Sequence, residues 1–136
     1  MAPDNVEHAD SVITFAEGIP GFPDLRRFVL VNFAENSAFQ MLECLDDEDV
    51  AMVVGSPWLF FPDYQPELSD VDQQGLDLDD AADAVVFCPV TIGEDGGLTM
   101  NLLGPFVVNG STRQGRQIVL VHDAYSVRTP IPVTVG

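Results

Sequence analysis

Positive charge is what this chain most lacks. It contains no lysine in 136 residues, and its five cations are Arg26, Arg27, Arg113, Arg116 and Arg128. Against them stand 22 acidic residues, for a formal net charge of −17. Such a surface repels phosphate backbones and anionic lipid, which argues against direct nucleic-acid or membrane binding, and it attracts basic protein partners. Solubility, a saline habitat or a genome that favours Arg over Lys would leave the same surplus, so charge alone names no partner. Histidine is scarce too: His8 and His122 are the only two, which removes most metal and nucleophile schemes. The two cysteines, Cys44 and Cys88, sit inside apolar runs without metal-ligand spacing and read as buried small hydrophobes. No run approaches the ~18 apolar residues of a membrane span, and no basic region followed by an apolar stretch opens the chain, so the expected location is the cytoplasm. Internal repeats, linkers and low-complexity tracts are missing as well.

What the chain does have is hydrophobic residues, 46% of the total, in short runs rich in Val, Phe and Ile. A chain of this length buries roughly two-thirds of its unfolded surface, enough for one core. The runs Val12–Phe15, Phe28–Phe33, Phe39–Leu45, Val50–Val54, Ala84–Ile92, Leu98–Leu103, Phe106–Val108 and Gln117–Val121 are separated by Gly, Pro, Asn and Asp, which predicts strands. Val29-Leu30-Val31 and Ile118-Val119-Leu120-Val121 show no clean alternation and predict strands covered on both faces. The expected fold is mainly β: a compact antiparallel barrel-like domain over residues 11–136 with one or two short helical turns, behind a flexible acidic leader at residues 1–10. The helical turns are expected at Asp24–Arg27 and between Leu68 and Leu78.

Several groups invite a chemical role. Asp77, Asp79, Asp80 and Asp83 suggest calcium, but the loop lacks the glycine and the bidentate glutamate that a calcium loop requires. Asp46-Asp47-Glu48-Asp49 reads as a solvated hairpin turn or as a docking site for a basic surface. Cys88 precedes a proline inside an apolar strand, a poor setting for a Cys–His dyad with His122. The Gly93–Gly97 turn carries Glu94 and Asp95, the wrong charge for cradling phosphate. Asn109-Gly110-Ser111 spells a glycosylation acceptor but reads as a turn. In Trp58-Leu59-Phe60-Phe61-Pro62-Asp63-Tyr64, the first rings suit core filling, whereas Tyr64, whose hydroxyl needs a partner, suits the rim. Arg113 and Arg116 either neutralise nearby carboxylates or grip a partner's carboxylate or carbonyl groups. The stretch Asn101 to Leu120 reads as a hairpin interrupted by Gly104 and Pro105, with amides and arginines at its ends but no general base, which favours recognition over reaction.

Five blocks in order, Phe15-Ala16-Glu17-Gly18-Ile19-Pro20-Gly21-Phe22, Phe61-Pro62-Asp63-Tyr64, Asn101-Leu102-Leu103-Gly104-Pro105 with Val107-Val108-Asn109, Arg113-Gln114-Gly115-Arg116-Gln117-Ile118-Val119-Leu120, and Tyr125-Ser126-Val127-Arg128-Thr129-Pro130, resemble the flagellar assembly factors of the FliW family. The resemblance implies a non-catalytic, cofactor-free cytoplasmic barrel. It further implies binding to flagellin before export or, alternatively, to the translational repressor CsrA, coupling flagellin synthesis to assembly. The contact face it suggests comprises Phe61, Tyr64, Asn101, Leu102, Pro105, Arg113 and Arg116. Departures from the family pattern are Gly104, where alanine is common, the heavily acidic 77–83 stretch, and the aromatic approach at 56–60. Two rival classes remain open from the residues: a non-catalytic calcium- or sugar-binding acidic β module using Asp77–Asp83, and a cysteine-dependent enzyme.

Overall fold

The computed structural model describes residues 12–19, 22, 24–32, 38–78, 83–120 and 125–131. The leader at 1–10, both histidines, Asp79 and Asp80 lie outside the described residues. Within them run β1 (Ile13–Phe15), β2 (Arg27–Asn32), β3 (Phe39–Cys44), β4 (Ala51–Gly55), a 3₁₀ turn at Pro57–Leu59, α1 (Asp70–Gly75), β5 (Ala84–Ile92), β6 (Leu98–Met100), β7 (Phe106–Asn109), β8 (Gln114–Gln117) and β9 (Thr129–Pro130). The fold is mainly β, as the apolar runs predict.

Strand pairing follows the order β4-β3-β2-β1-β8-β7-β5-β6-β9, and a further contact between β4 and β5 joins Val54 to Pro89 and Gly55 to Cys88. That contact closes β1, β2, β3, β4, β5, β7 and β8 into an approximate ring. A ring with an odd number of strands cannot alternate direction all the way round, so one neighbouring pair must run parallel. The pair is β1 and β8, with Thr14 opposite Gln114 and Phe15 opposite Gly115. β5 is long enough to serve three partners: Ala84–Phe87 pair with β7, Cys88 and Pro89 with β4, and Val90–Ile92 with β6. Pro89 sits where partners change, a position at which its missing N–H does not break a continuous ladder.

Two cores result. Inside the ring, Ile13, Phe15, Phe28, Leu42, Val54, Phe87, Phe106 and Val108 pack together, with Phe15 edge-on to Phe28 and Phe106 at centroid distances of 5.4 and 5.5 Å. Outside it, Tyr64, Leu76, Leu78, Cys88, Met100, Leu102, Val107, Ile118 and Leu120 form a second cluster. β7 is therefore buried on both faces, with Phe106 and Val108 turned inward and Val107 outward.

The structure departs from expectation at three places. Asp24–Arg27 forms no helical turn: Asp46 reaches across from the β3–β4 hairpin and its carboxylate accepts from the backbone N–H groups of Arg26 and Arg27 at 2.9 and 3.0 Å, so this stretch leads straight into β2. The strand expected at Leu98–Leu103 stops at Met100, because the Asn101 side-chain oxygen accepts from Leu103 N–H and Gly104 N–H and bends the chain into a turn. The strand expected at Gln117–Val121 instead occupies Gln114–Gln117. Beyond it the β7–β8 register continues in one direction only, with Ile118 N–H donating to Pro105 C=O and Leu120 N–H to Leu103 C=O. The return bonds cannot form, since Pro105 has no N–H and that of Leu103 is held by Asn101. Nor is this segment covered on both faces: Ile118 and Leu120 are buried, and Val119 is 77% exposed.

Candidate functional site

The segment from Ser56 to Leu78 crosses the outside of the barrel and carries most of the candidate surface. Pro57 starts a 3₁₀ turn that ends as Phe60 and Phe61 donate N–H groups to its carbonyl. The turn leaves Trp58 41% exposed and Leu59 64% exposed, so Trp58 is not the core filler its neighbours suggest. Its indole N–H nevertheless has a fixed partner, the Tyr64 carbonyl at 2.8 Å. Phe60 stacks on Phe39 at 5.4 Å.

Tyr64 lies at the centre rather than at the rim. It is 3% exposed, and its hydroxyl donates to the Leu102 carbonyl at 2.6 Å. The Tyr125 ring meets it edge-on at 4.8 Å, and the Tyr125 hydroxyl accepts from Gln65 N–H. Burial, reinforced by the neighbouring Cys88 thiol, pushes the Tyr64 phenol well above its ordinary range. Cys88 is fully buried, and burial pushes its thiol up to about 12, although its hydrogen bond with Tyr64 pulls the other way. A nucleophilic cysteine needs the opposite shift, so the geometry argues against the cysteine-enzyme reading at Cys88.

Three concavities adjoin this block. Phe60, Phe61, Tyr64, Leu102, Tyr125 and Thr129 border one of about 350 Å³. Glu67, Leu68, Asp72, Ile118, Val119 and Tyr125 border a second of about 330 Å³. Trp58, Tyr64, Pro66, Leu68, Leu78 and Val86 border a third of about 310 Å³. Tyr64, Leu68 and Tyr125 each line two of them, which makes the three neighbours on one grooved surface. Its lining combines aromatic and aliphatic side chains with the carboxylates of Asp63, Glu67 and Asp72, a combination suited to holding a polypeptide.

The residues expected to form the contact face divide accordingly. Phe61, Tyr64 and Leu102 are brought together at the first concavity, where Tyr64 and Leu102 serve as buried wall. Asn101 shapes the turn behind them, and Pro105 is buried. Arg116 lies elsewhere, on β8, where its guanidinium joins Asp72 of α1 at 3.2 Å and Glu17 at 3.4 Å. A side chain on Gly75 would meet that guanidinium at 2.8 Å, so the helix approaches closely because this position is glycine. α1 itself starts at Ser69, whose hydroxyl accepts from Asp72 N–H at 3.1 Å. Arg113 closes the β7–β8 turn at a positive φ of 65°, and its carbonyl accepts from Thr14 N–H. Neutralisation of carboxylates thus occupies Arg116, the first of the two roles open to it.

Sequence alone does not single out Glu67, Leu68 or Val119 as groove residues, and Asn109 reads there only as part of a turn. Asn109 is a buried polar residue whose amide donates to Leu76 and Asp77 C=O at 2.9 and 3.1 Å while its oxygen accepts from Ser111 and Thr112 N–H. It ties the end of α1 to the β7–β8 turn. Asp77, at a φ of 56°, contributes its carbonyl to this knot. Among the described residues no cluster of three His, Cys, Asp or Glu side chains is placed to hold a metal ion, and no helix is long and apolar enough to cross a membrane.

Comparison with known proteins gives this chain a family. The family model described as FliW protein matches residues 4–131. The flagellar assembly factor FliW of Clostridium beijerinckii is 34% identical over 122 residues, covering 89% of this chain and 86% of that protein. That of Caldicellulosiruptor saccharolyticus is 38% identical over 120 residues, covering 88% and 78%. A crystal structure of the flagellar assembly factor FliW superposes with a TM-score of 0.83 at 27% identity, covering 92% of this chain and 89% of the other. With nearly its whole length matched in sequence and in fold, the chain belongs to the FliW family of flagellar assembly factors.

Proposed function

We propose that this chain is a cytoplasmic regulatory chaperone that holds flagellin before export and, when flagellin is scarce, antagonises the translational repressor CsrA. Residues 11–136 act as one barrel domain, with no chemical transformation and no cofactor. The observation that carries the reading is the grooved surface around Trp58–Ser69: exposed Trp58, Leu59 and Val119 surround walls fixed by buried hydrogen bonds, a preformed seat for a protein segment. Family membership supports the flagellar setting. The net charge of −17 supports a basic partner such as an RNA-binding repressor, whose association it would accelerate. Phe61, Tyr64, Asn101, Leu102 and Pro105 act in this reading through the first concavity, and Arg113 and Arg116 from the separate β7–β8 hairpin, Arg116 by holding α1 in place through Asp72.

Exclusive occupancy requires either overlapping surfaces or a coupling free energy between two sites. Pull-downs with flagellin monomer and with CsrA dimer test the reading; binding of both is expected, and failure of both at low salt defeats it. Association rates measured against ionic strength test the electrostatic part. A steeper salt dependence is expected for CsrA than for flagellin, and equal slopes would remove charge steering from the account.

A further inference from the structure

We propose that the backbone edge at Ile118–Leu120 is a strand-addition site for an extended segment of a partner protein in which apolar and basic residues alternate. Ile118 and Leu120 direct their N–H groups to the carbonyls of Pro105 and Leu103. In an extended chain the residue between them directs its own N–H and C=O to the opposite side. Val119 has no hydrogen-bond partner for either group among the described residues. β1, which pairs with the same side of β8 at Gln114 and Gly115, ends at Phe15 and turns away, with Gly18 N–H donating to Phe15 C=O and Gly18 at a φ of 72°. Among the described residues the sheet edge is thereby left open, just where the groove of about 330 Å³ begins.

Unpaired backbone groups are matched by another extended chain, which supplies both donors and acceptors. The groove selects its side chains. Leu68 and Tyr125 are part of its lining and favour apolar residues on one face of the incoming strand. Glu67 is exposed and has no ion pair among the described residues, whereas Asp72 is engaged by Arg116 and by the Ser69 hydroxyl. Glu67, within a surface of net charge −17, favours Lys or Arg on the other face. The inference concerns the chemistry of the docked segment and holds whichever protein carries it.

The test uses the intact protein, ¹⁵N-labelled, and the amidated peptide Lys-Val-Lys-Val-Lys-Val. In the free protein the Val119 amide should exchange rapidly with solvent, and addition of the peptide should protect it and shift its resonance. Two further peptides, N-methylated on the three Val or on the three Lys, keep the charges but block the two backbone edges in turn. One of them should bind about tenfold more weakly, the loss expected for one or two hydrogen bonds. A Glu-Val-Glu-Val-Glu-Val peptide should not bind. Replacing Val119→Pro should abolish the response without loss of folded structure, because the N–H it removes has no partner among the described residues. The proposal is overturned if the basic peptide does not bind, if both methylated peptides bind as tightly as the parent, or if the acidic peptide binds equally. It also fails if the Val119 amide is already protected in the free protein, since another part of this chain or a second copy would then hold the edge.

Discussion

Replacing Tyr64→Phe isolates the hydrogen bond on which the candidate surface rests. The hydroxyl donates to the Leu102 carbonyl at 2.6 Å inside the outer core, and Tyr64 is 3% exposed, so water cannot take its place. Ring packing against Tyr125 and Trp58, at 4.8 and 6.0 Å, survives the change. The loss is therefore the bond to Leu102, the weaker one with the Cys88 thiol, and the penalty of a dry carbonyl, about 1–3 kcal/mol. For a urea slope of roughly 2 kcal/mol/M, this lowers the unfolding midpoint by about 1 M without altering the slope. Equilibrium urea unfolding followed by tryptophan fluorescence reads it directly, since Trp58 is the only tryptophan and donates to the Tyr64 carbonyl. Alkaline pH supplies a second readout. Cys88 is raised from about 9 to about 12 and Tyr64 is raised above its ordinary value of 10.0, so both stabilise the fold in their neutral forms. That stability is fully present below pH 9 and declines as pH rises through the range between the unfolded and folded values. The Phe variant should lose the Tyr64 share of this decline and keep the part of the Cys88 share that comes from burial, since it also removes the Tyr64 hydroxyl that acts on the thiol. A midpoint shift within about 0.2 M of zero, at unchanged slope, would refute the claim that the bond is buried and uncompensated.

Asn109→Ala should cost about 2–4 kcal/mol in chemical denaturation, because two carbonyls and two N–H groups lose their partners together; a loss under about 1 kcal/mol would mean that water replaces the side chain. Gly115→Ala should destabilise by about 1–3 kcal/mol, since the added methyl would stand 2.9 Å from the Phe15 ring and 3.1 Å from Val108 inside the barrel. By contrast, Gly104→Ala should cost less, because the added methyl would meet the amide nitrogens of Asn101 and Gln117, side-chain ends that shift more easily than a ring inside the barrel, and equal losses at both glycines would contradict this distinction. Asp46→Asn should weaken the fold at neutral pH. The N–H groups of Arg26 and Arg27 and the Arg27 side chain hold the Asp46 carboxyl at about 2, so the difference from the native protein should shrink as pH falls from about 4 through 2. A difference independent of pH in acid titration would show that charge plays no part.

Strands were legible wherever β-branched and aromatic runs met turn residues, as at Phe39–Cys44 and Ala51–Gly55 around the acidic hairpin. Their ends were less so, because competing side-chain bonds decide them: Asn101 takes the N–H groups of Leu103 and Gly104, and Asp46 takes those of Arg26 and Arg27. The candidate surface was legible in part. The aromatic segment drew attention, yet which of its rings are buried depends on Leu102 and Tyr125, some 40 to 60 residues away, a distance readable in the separations of 38 and 60 between bonded partners. Val119 was hidden for the reverse reason: a run of aliphatic residues carries no sign of a neighbouring strand that turns away at Phe15.

By itself the amino-acid order determined a β-rich, anionic chain with buried thiols and turn-forming punctuation, because these follow from local propensity, side-chain polarity and summed charge. Only the tertiary structure decided that β5 divides its length among three partners, that Tyr64 lies inside while Trp58 looks out, and that the Val119 backbone has no partner among the described residues. Those outcomes depend on which distant segments meet when the ring closes. Pairing between segments far apart in the chain is set by the simultaneous satisfaction of backbone hydrogen bonds and core volume, which no local stretch encodes alone.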